Sequence, residues 1–418
     1  MNKTRLFKKS LLAVTVALAS QQALAAGFQL NAQSATGLGR AFAGDAVIAD
    51  NASVMARNPA AMALFDKMEL SLGFESITTM IEVKNAKYTT AGGQLTLDDV
   101  DDVGNTSVAP NIHLIVPVNE KFAWGINAYT NFGTKTEFSN SYLASEYGGL
   151  TDVKSINFGL AGSYRIDEQW SIGAGLDVIY GQGTMKRVAG AAFGPLKGVN
   201  LLDVDEADGW AVGFNLGTVY ELDENNRFGL AYHYSPEFEA KDDYGQKIVL
   251  PLPDIAEFSG FHKIQDTKFA VHYSVQWIGW GDFDKIDFKN LDASQSPIAA
   301  GLAGGGTYSK EYQWQDGWHY AIGGTYYLNS DWTLRAGYMY DTSAQDSLTS
   351  ISVPDSDRQW FSAGFTYNID TASNVDFGFT YLLGDDVDVN ESIPGVSSIK
   401  ATTRADAVLV GLQYSRSF

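Results

Sequence analysis

Histidine and acidic side chains are the residues of this sequence that could bind a metal ion or take part in hydrolysis. A membrane phospholipase needs a histidine beside a serine on its lipid-facing side, and a histidine metal site needs several rings that converge. The acidic pairs Asp98-Asp99 and Asp101-Asp102 offer the oxygen ligands that Ca²⁺ prefers, but such a cluster is also typical of a solvated loop. Whether these side chains form a catalytic site, a metal site or a solvated surface depends on the secondary-structure elements that carry them.

Arg187 and two glycines suggest other roles. Arg187 follows Met185 and Lys186 at the outer end of a predicted strand. A solvated loop cation is the ordinary interpretation there, and an anion site is the alternative, since a guanidinium can bind both oxygens of a carboxylate. Gly217 lies within a strand pattern, where a glycine can simply relieve crowding. Gly133 interrupts an aromatic strand and predicts a bulge or kink.

The N-terminus has the pattern of a secretory signal peptide. A basic start, an apolar run and the sequence Ala-Leu-Ala at 23–25 predict that residues 1–25 are cleaved and that the mature chain begins at Ala26.

Composition excludes several classes of protein. The formal net charge of −20 argues against a nucleic-acid partner. The chain has no cysteine, which excludes a small disulfide-stapled fold. Beyond the signal peptide no apolar stretch approaches the roughly 20 residues of a membrane-spanning helix, so a chain that crosses a bilayer must do so with strands.

From residue 68 onwards, apolar and polar residues alternate in segments of about ten residues, the length of a tilted membrane-crossing strand. In 210–220 the even positions carry large side chains and the odd positions small or polar ones. A soluble β-sandwich also alternates. However, short polar turns such as 165–169 take turns with long stretches such as 183–208 and 279–315, which is typical of the periplasmic turns and external loops of an outer-membrane barrel.

These segments predict an all-β transmembrane fold, a 14-stranded antiparallel outer-membrane β-barrel over residues 68–418. An even number of strands places both chain ends on the periplasmic side. The terminal Phe418 resembles the signal that the barrel-assembly machinery reads, a partner during biogenesis. The predicted strands are 68–79, 108–117, 122–132, 154–164, 171–182, 209–220, 227–239, 250–261, 268–278, 316–327, 332–341, 357–367, 374–384 and 405–418.

Strand parity decides how the histidines are interpreted. His113, His233, His272 and His319 fall on the inward face, and His262 falls in a turn. We therefore expect neither a phospholipase nor a histidine metal site, and no cofactor.

Residues 26–67 lack the alternation and are rich in small residues, with Asp50 and Asn58 as helix-capping candidates. A segment with so little apolar mass does not fold alone. We therefore expect an N-terminal, mostly helical hatch that plugs the barrel, and a disordered periplasmic tail is the alternative.

Several motifs resemble the FadL family of fatty-acid and hydrocarbon channels. The start 26–31, the stretch 36–41 and the triplet Asn58-Pro59-Ala60 resemble the hatch of that family. Further similar segments are 131–138, 220–223, 264–277, 324–327, 354–358 and the last strand. The resemblance covers essentially the whole mature chain and implies a fourteen-stranded barrel with 26–67 as its plug.

The resemblance also implies roles for individual residues. Phe28 and Thr130 would line or border an internal pocket, and Arg187 and Lys310 would meet the carboxylate of the substrate. The external capture groove of the family would be reduced here, since the loops at 183–208 and 240–249 are short. The hatch would move at Asn58, Pro59 and Ala60, and a gap in the wall would open at Asn131, Phe132 and Gly133, with Gly217 facing it.

The predicted function is uptake of long-chain fatty acids, which bind in an apolar lumenal pocket and leave laterally through the wall. Burying the roughly fifteen apolar groups of a sixteen-carbon acid is worth about 12 kcal/mol, which a water-filled pore cannot supply. We expect a non-enzymatic monomer in contact with the lipid bilayer and lipopolysaccharide. A hydrocarbon channel of the same family and a general porin or structural barrel are the alternatives.

Overall fold

The structure, a computed structural model, describes residues 27–418, so the predicted signal peptide and Ala26 lie outside the described residues. The strands are β1 Glu69–Thr90, β2 Gly93–Thr96, β3 Thr106–Pro117, β4 Phe122–Glu137, β5 Leu150–Arg165, β6 Trp170–Val188, β7 Asn200–Asp223, β8 Asn226–Tyr234, β9 Glu237–Lys241, β10 Lys247–Pro251, β11 Ile255–Lys263, β12 Phe269–Ile278, β13 Lys285–Lys289, β14 Tyr308–Glu311, β15 Gly317–Tyr327, β16 Trp332–Asp341, β17 Arg358–Asn368, β18 Ser373–Gly384, β19 Val387–Ile393 and β20 Ser397–Ser417. The helices are α1 Ala35–Leu38 and α2 Pro297–Ala303, with 3-10 helices at Ala52–Ala56, Pro59–Leu64, Ala191–Leu196 and Trp280–Asp282.

Fourteen of these strands form a closed antiparallel barrel, as predicted. They are β1, β3 to β8, β11, β12, β15 to β18 and β20, and each pairs with its neighbours along the chain. The last strand pairs with the first from Glu69 opposite Ser417 to Thr90 opposite Ser397, which closes the barrel. β8 ends at Tyr234 rather than at the predicted 239, because Pro236 has no N–H to continue the ladder.

The two faces of the wall differ as the alternation predicted. Leu176, Val212 and Ile322 point outwards and are more than half exposed, as expected of side chains that face lipid. Inward-facing polar side chains on the same strands, such as Asp177 and Asn215, are buried. Among residues 27–418, no helix is both long enough and apolar enough to cross a membrane.

His262 corrects one prediction. It lies in β11 rather than in a turn, because this strand pairs with β12 as far as Lys263, two residues beyond the predicted end. Its ring nitrogens lie 2.8 Å from the side-chain oxygen of Asn226 and 3.3 Å from the hydroxyl of Tyr273. The other four histidines face inwards, and the His233 ring, for example, contacts the backbone oxygen of Arg57 at 3.0 Å.

The segment that precedes β1 occupies the inside of the barrel. Its backbone N–H groups donate to inward-facing wall side chains, from Ala35 to Gln413 (3.2 Å), from Gly44 to Ser274 (2.9 Å) and from Ala52 to Ser71 (3.1 Å). Its regular structure is limited to α1 and two 3-10 helices, whose caps are Ser34, Asn51 and Asn58. Asp50 was predicted to cap a helix, but the cap at this position is Asn51. Asp50 instead pairs with Arg40 and Arg335.

A small sheet covers one side of the external end of the barrel. β9, β10, β13 and β14 pair in that order, so the long loops predicted from the sequence are largely structured. Phe238, Ile248 and Phe288 of this sheet pack in one buried apolar cluster with Phe28 from the start of the chain. This cluster surrounds the candidate ligand-binding site in the lumen.

Candidate ligand-binding site in the barrel lumen

Phe28 lies at the centre of a group of aromatic rings below the external sheet. Its ring centroid is 4.6 Å from that of Trp280, 5.5 Å from Phe283, 5.8 Å from Trp314 and 6.3 Å from Phe132. The edge-to-face and tilted contacts are the favourable ones for aromatic pairs. Sequence reasoning found Phe28 and Phe132 but missed the other three, although buried-type aromatics within a supposedly external loop were a signal that the loop turns inwards.

An apolar cavity adjoins these rings. It is lined by Phe28, Phe132, Phe238, Ile248, Leu250 and Leu252, together with short stretches of β5 and β6. Its free space for a water-sized molecule is about 20 Å³, and one water needs about 10–15 Å³. A long acyl chain therefore enters only if some of these side chains turn aside.

Arg187 is buried on the inner face of β6, at its external end. It donates hydrogen bonds to the carbonyl oxygens of Leu150 (2.7 Å) and Lys186 (2.8 Å) and to the hydroxyl of Thr151 (2.7 Å). Within residues 27–418 no carboxylate lies within 4.0 Å of it. Its neighbour Lys186 faces the other way and pairs with Asp203 and Asp205. The predicted candidate is thus a buried cation without an anionic partner of its own among the described residues.

Lys310 lies on β14 at the same external end. Its ammonium group is 2.8 Å from Glu391 and 5.4 Å from the ring centroid of Tyr312. Burial lowers the pKa of Lys310. Glu391 and Tyr312 together raise it by more, so the pKa lies above its usual value. The charges of Lys310 and Arg187 also affect each other. The structure therefore brings both predicted cations together, but the charge of Lys310 is already balanced.

The wall is irregular where the kink was predicted. The pairing of β4 with β5 shifts between Thr130 and Gly133. The start of the chain pairs with this stretch instead, since the Leu30 N–H donates to Asn131 O and the Gly133 N–H donates to Phe28 O, both at 2.8 Å. Thr130 is fully buried, and its hydroxyl has no hydrogen-bond partner among the described residues. The residues after the predicted cleavage site thus complete the ladder of an interrupted strand.

Gly217 does not face this irregularity, which corrects the prediction. A Cβ atom at 217 would lie 1.9 Å from Oδ1 of Asn58. Following the strand pairing across the wall, Gly217 lies opposite Gly173 of β6, Gly173 lies opposite Ser163 of β5, and Ser163 lies opposite Ala123 of β4. Gly217 is therefore level with a part of β4 that is several residues away from the shift in pairing. The glycines that line the apolar cavity beside Phe132 are Gly181 and Gly183 of β6.

The triplet 58–60 holds the hatch against the wall. The side-chain amide of Asn58 donates to Ala46 O (2.8 Å) and Thr218 O (3.0 Å), and its oxygen accepts the Ala60 N–H (3.0 Å). Pro59 begins the 3-10 helix, where its fixed φ and missing N–H are tolerated. The absence of a side chain at Gly217 is what allows this close approach.

The acidic residues of the first external hairpin support turns. Asp102 accepts the backbone N–H groups of Ile81 (3.0 Å) and Gly104 (2.7 Å), and Asp99 accepts that of Asn85 (2.9 Å). In the part of the chain that the structure describes, no three His, Cys, Asp or Glu side chains are grouped as metal ligands.

Comparison with known proteins agrees with this architecture. Residues 16–418 match the family described as outer membrane protein transport protein (OMPP1/FadL/TodX). The long-chain fatty acid transport protein of Escherichia coli O6:H1 is 34% identical over 464 aligned residues, which cover 100% of both chains. Among solved structures, a Pseudomonas aeruginosa FadL homologue has a TM-score of 0.83 at 20% identity and covers 94% of this chain and 100% of that one. The Pseudomonas putida toluene transporter TodX has a TM-score of 0.65 at 18% identity, over 94% and 99%. This chain therefore belongs to the OMPP1/FadL/TodX family of transport proteins of the outer membrane.

Proposed function

We propose that this protein takes up long-chain fatty acids, binding the carboxylate at Arg187 and the acyl chain among the aromatic rings around Phe28. The observation that carries the proposal is a buried guanidinium without a carboxylate partner in the described part of the chain, at the external end of an apolar cluster. The name of the relative in Escherichia coli O6:H1 points to the same substrate class.

The energetics favour an acid over a neutral hydrocarbon. A buried cation without an anionic partner is costly, and a ligand carboxylate would offset that cost with charge-assisted hydrogen bonds. The acyl chain would supply about 12 kcal/mol from burial of its apolar groups. An aromatic hydrocarbon would gain from the rings but would leave Arg187 unpaired.

Release through the wall is the second part of the proposal. Residues 28–30 pair with 131–133, so displacing the start of the hatch would remove both the cover of the apolar cavity and the ladder partner of the interrupted strand. We propose residues 26–67 as the domain that moves and the β4–β5 irregularity as the exit. A lateral exit keeps the acyl chain out of water, where re-exposure would cost the burial energy.

Uptake in cells tests the proposal. Cells that lack a fatty-acid channel would produce the wild-type protein, the Arg187→Ala variant and the Lys186→Ala control, and uptake of radiolabelled hexadecanoic acid would be measured. Wild type and the control should support uptake, and Arg187→Ala should not. Toluene uptake without fatty-acid uptake by assembled wild-type protein would instead support the hydrocarbon alternative.

A further inference from the structure

The proposed exit has a charged residue on its rim, Lys154 of β5. On β4 the irregularity lies between Thr130 and Gly133. The residues opposite these two on β5 are Ile156 and Lys154, respectively. Lys154 therefore borders the exit on its external side, and Ile156 borders it on its periplasmic side.

The direction of the Lys154 side chain follows from the neighbouring strand β6. A Cβ atom on Gly181 would clash with the ring of Phe238, which lines the apolar cavity, so position 181 faces the lumen. Gln182, the next residue, faces the opposite way because side chains alternate along a strand. Residues directly opposite each other in an antiparallel pair share a face, and Gln182 is opposite Lys154. Lys154 therefore points to the outside of the barrel.

Lys154 lies at the level of the outer lipid headgroups. On β6 the outward-facing rings of Trp170 and Tyr180 each pack against an aromatic ring of β7, at centroid distances of 4.7 and 4.8 Å, as expected at the two edges of the hydrocarbon layer. They are ten residues apart, which is about 25 Å across the membrane for a strand tilted by about 40°. Tyr180 is opposite Ile156, so Lys154 occupies the first outward position beyond the outer edge of this layer.

The ammonium group of Lys154 has no carboxylate within 4.0 Å among residues 27–418. Asp152, on the same outer face, lies 3.9 Å from Lys135 instead and acts on the charge of Lys154 only at longer range. The residue opposite Lys154 on β4 is Gly133, which has no side chain that would compete for the ammonium group. The cation at the exit is thus available to an anionic ligand.

The outer face of β5 is apolar on the periplasmic side of Lys154. Ile156, Phe158 and Leu160 follow at alternate positions, and Leu160 is more than half exposed, as expected of a side chain that faces lipid. The outer rim of the exit therefore has a cation at the headgroup level and apolar side chains at the level of the hydrocarbon layer. A fatty acid in the outer leaflet has the same arrangement, with its carboxylate among the headgroups and its acyl chain below them.

We propose that Lys154 receives the carboxylate of a fatty acid that leaves through the wall and sets its orientation in the outer leaflet. Arg187 lies five residues beyond Gln182, the partner of Lys154, on β6, so the carboxylate moves about 16 Å along the strand when it leaves Arg187. A charge without a partner is costly in apolar surroundings, and an ion pair with Lys154 offsets this cost. The inference rests on the proposed function and assigns a residue to its release step.

Separate measurements of uptake and binding test the role of Lys154. The initial rate of uptake of radiolabelled hexadecanoic acid would be measured in cells that lack a fatty-acid channel, and the affinity for the same acid with purified full-length protein in detergent. Lys154→Gln should reduce the uptake rate about 2- to 5-fold, the range expected for one exposed ion pair. It should leave the affinity unchanged, because Lys154 lies outside the lumen. Lys154→Glu should reduce uptake further, and Lys154→Arg should retain the wild-type rate.

Lys135→Gln is the matched control. Lys135 of β4 is opposite Asp152 and therefore lies on the same outer face, but its charge is already paired, with Glu137 at 3.4 Å and with Asp152 at 3.9 Å. This variant should retain the wild-type rate of uptake, and heat-modifiable migration would show that each variant is assembled. An equal reduction in the control would indicate a general effect of surface charge and would overturn the role of Lys154.

The outcomes separate this role from the proposed function. Wild-type uptake by assembled Lys154→Glu protein, with the dependence on Arg187 intact, would overturn the role of Lys154 and leave fatty-acid uptake standing. A loss of affinity as large as the loss of uptake would place Lys154 in the binding site and would also contradict its role at the exit. Absence of fatty-acid uptake by assembled wild-type protein would overturn both.

Discussion

Replacing Arg187 with alanine should weaken a fatty acid far more than the matching alcohol. The guanidinium is buried and has no carboxylate of its own among the described residues, so a ligand carboxylate would form a charge-assisted hydrogen bond that an alcohol cannot form. A hydrogen bond to a charged group contributes about 1.5–3 kcal/mol, which corresponds to a loss of about 10- to 150-fold in affinity for hexadecanoic acid. Hexadecanol should lose much less.

The assay is a fluorescence titration of purified protein, because Trp280 and Trp314 lie in the cluster around Phe28 and should respond to a bound chain. Alanine at 187 also removes the donors to Leu150 and Thr151, so heat-modifiable migration must show that the variant is folded. Lys186→Ala is the matched control, since that side chain pairs outside the lumen. Equal losses for the acid and the alcohol would refute the reasoning and assign Arg187 a role in loop structure.

Three further outcomes are expected. Protease added to folded protein in detergent should leave residues 26–67 uncut, and rapid trimming to about residue 68 with an intact barrel would contradict their place in the lumen. Gly183→Glu should reduce fatty-acid uptake in cells with normal assembly, because a carboxylate would project into the apolar cavity. Gly217→Glu should instead make the hatch protease-sensitive, because the new side chain displaces Asn58. The opposite pattern would support the prediction that Gly217 faces the gap in the wall. Glu391→Gln should strengthen binding of hexadecanoic acid but not of hexadecanol, because it frees the charge of Lys310, and an unchanged preference would show that Lys310 does not face the ligand.

The barrel could be predicted from the sequence because a bilayer restricts both the hydrogen bonding and the side-chain pattern of a strand that crosses it. Every backbone polar group must be paired within the wall, and side chains must alternate between lipid and lumen. Fourteen alternating segments separated by turns therefore predicted the strands and their inward faces. The errors are local, as at His262, where pairing continues beyond the apolar pattern, and at β8, where Pro236 ends it early.

Part of the candidate site was also within reach of the sequence. Phe28, Arg187 and the irregularity at 131–133 were predicted, the first two from motifs and the last from a glycine in an aromatic strand. The burial of Arg187 and its lack of a carboxylate partner among the described residues were not predictable, because a cation at a strand end is ordinarily solvated.

Only the tertiary structure decided which residues meet. The pairing of 28–30 with 131–133 joins segments about a hundred residues apart, and no local pattern encodes it. Gly217 lies against Asn58 rather than at the gap, since the position of a glycine within a strand does not reveal what approaches it.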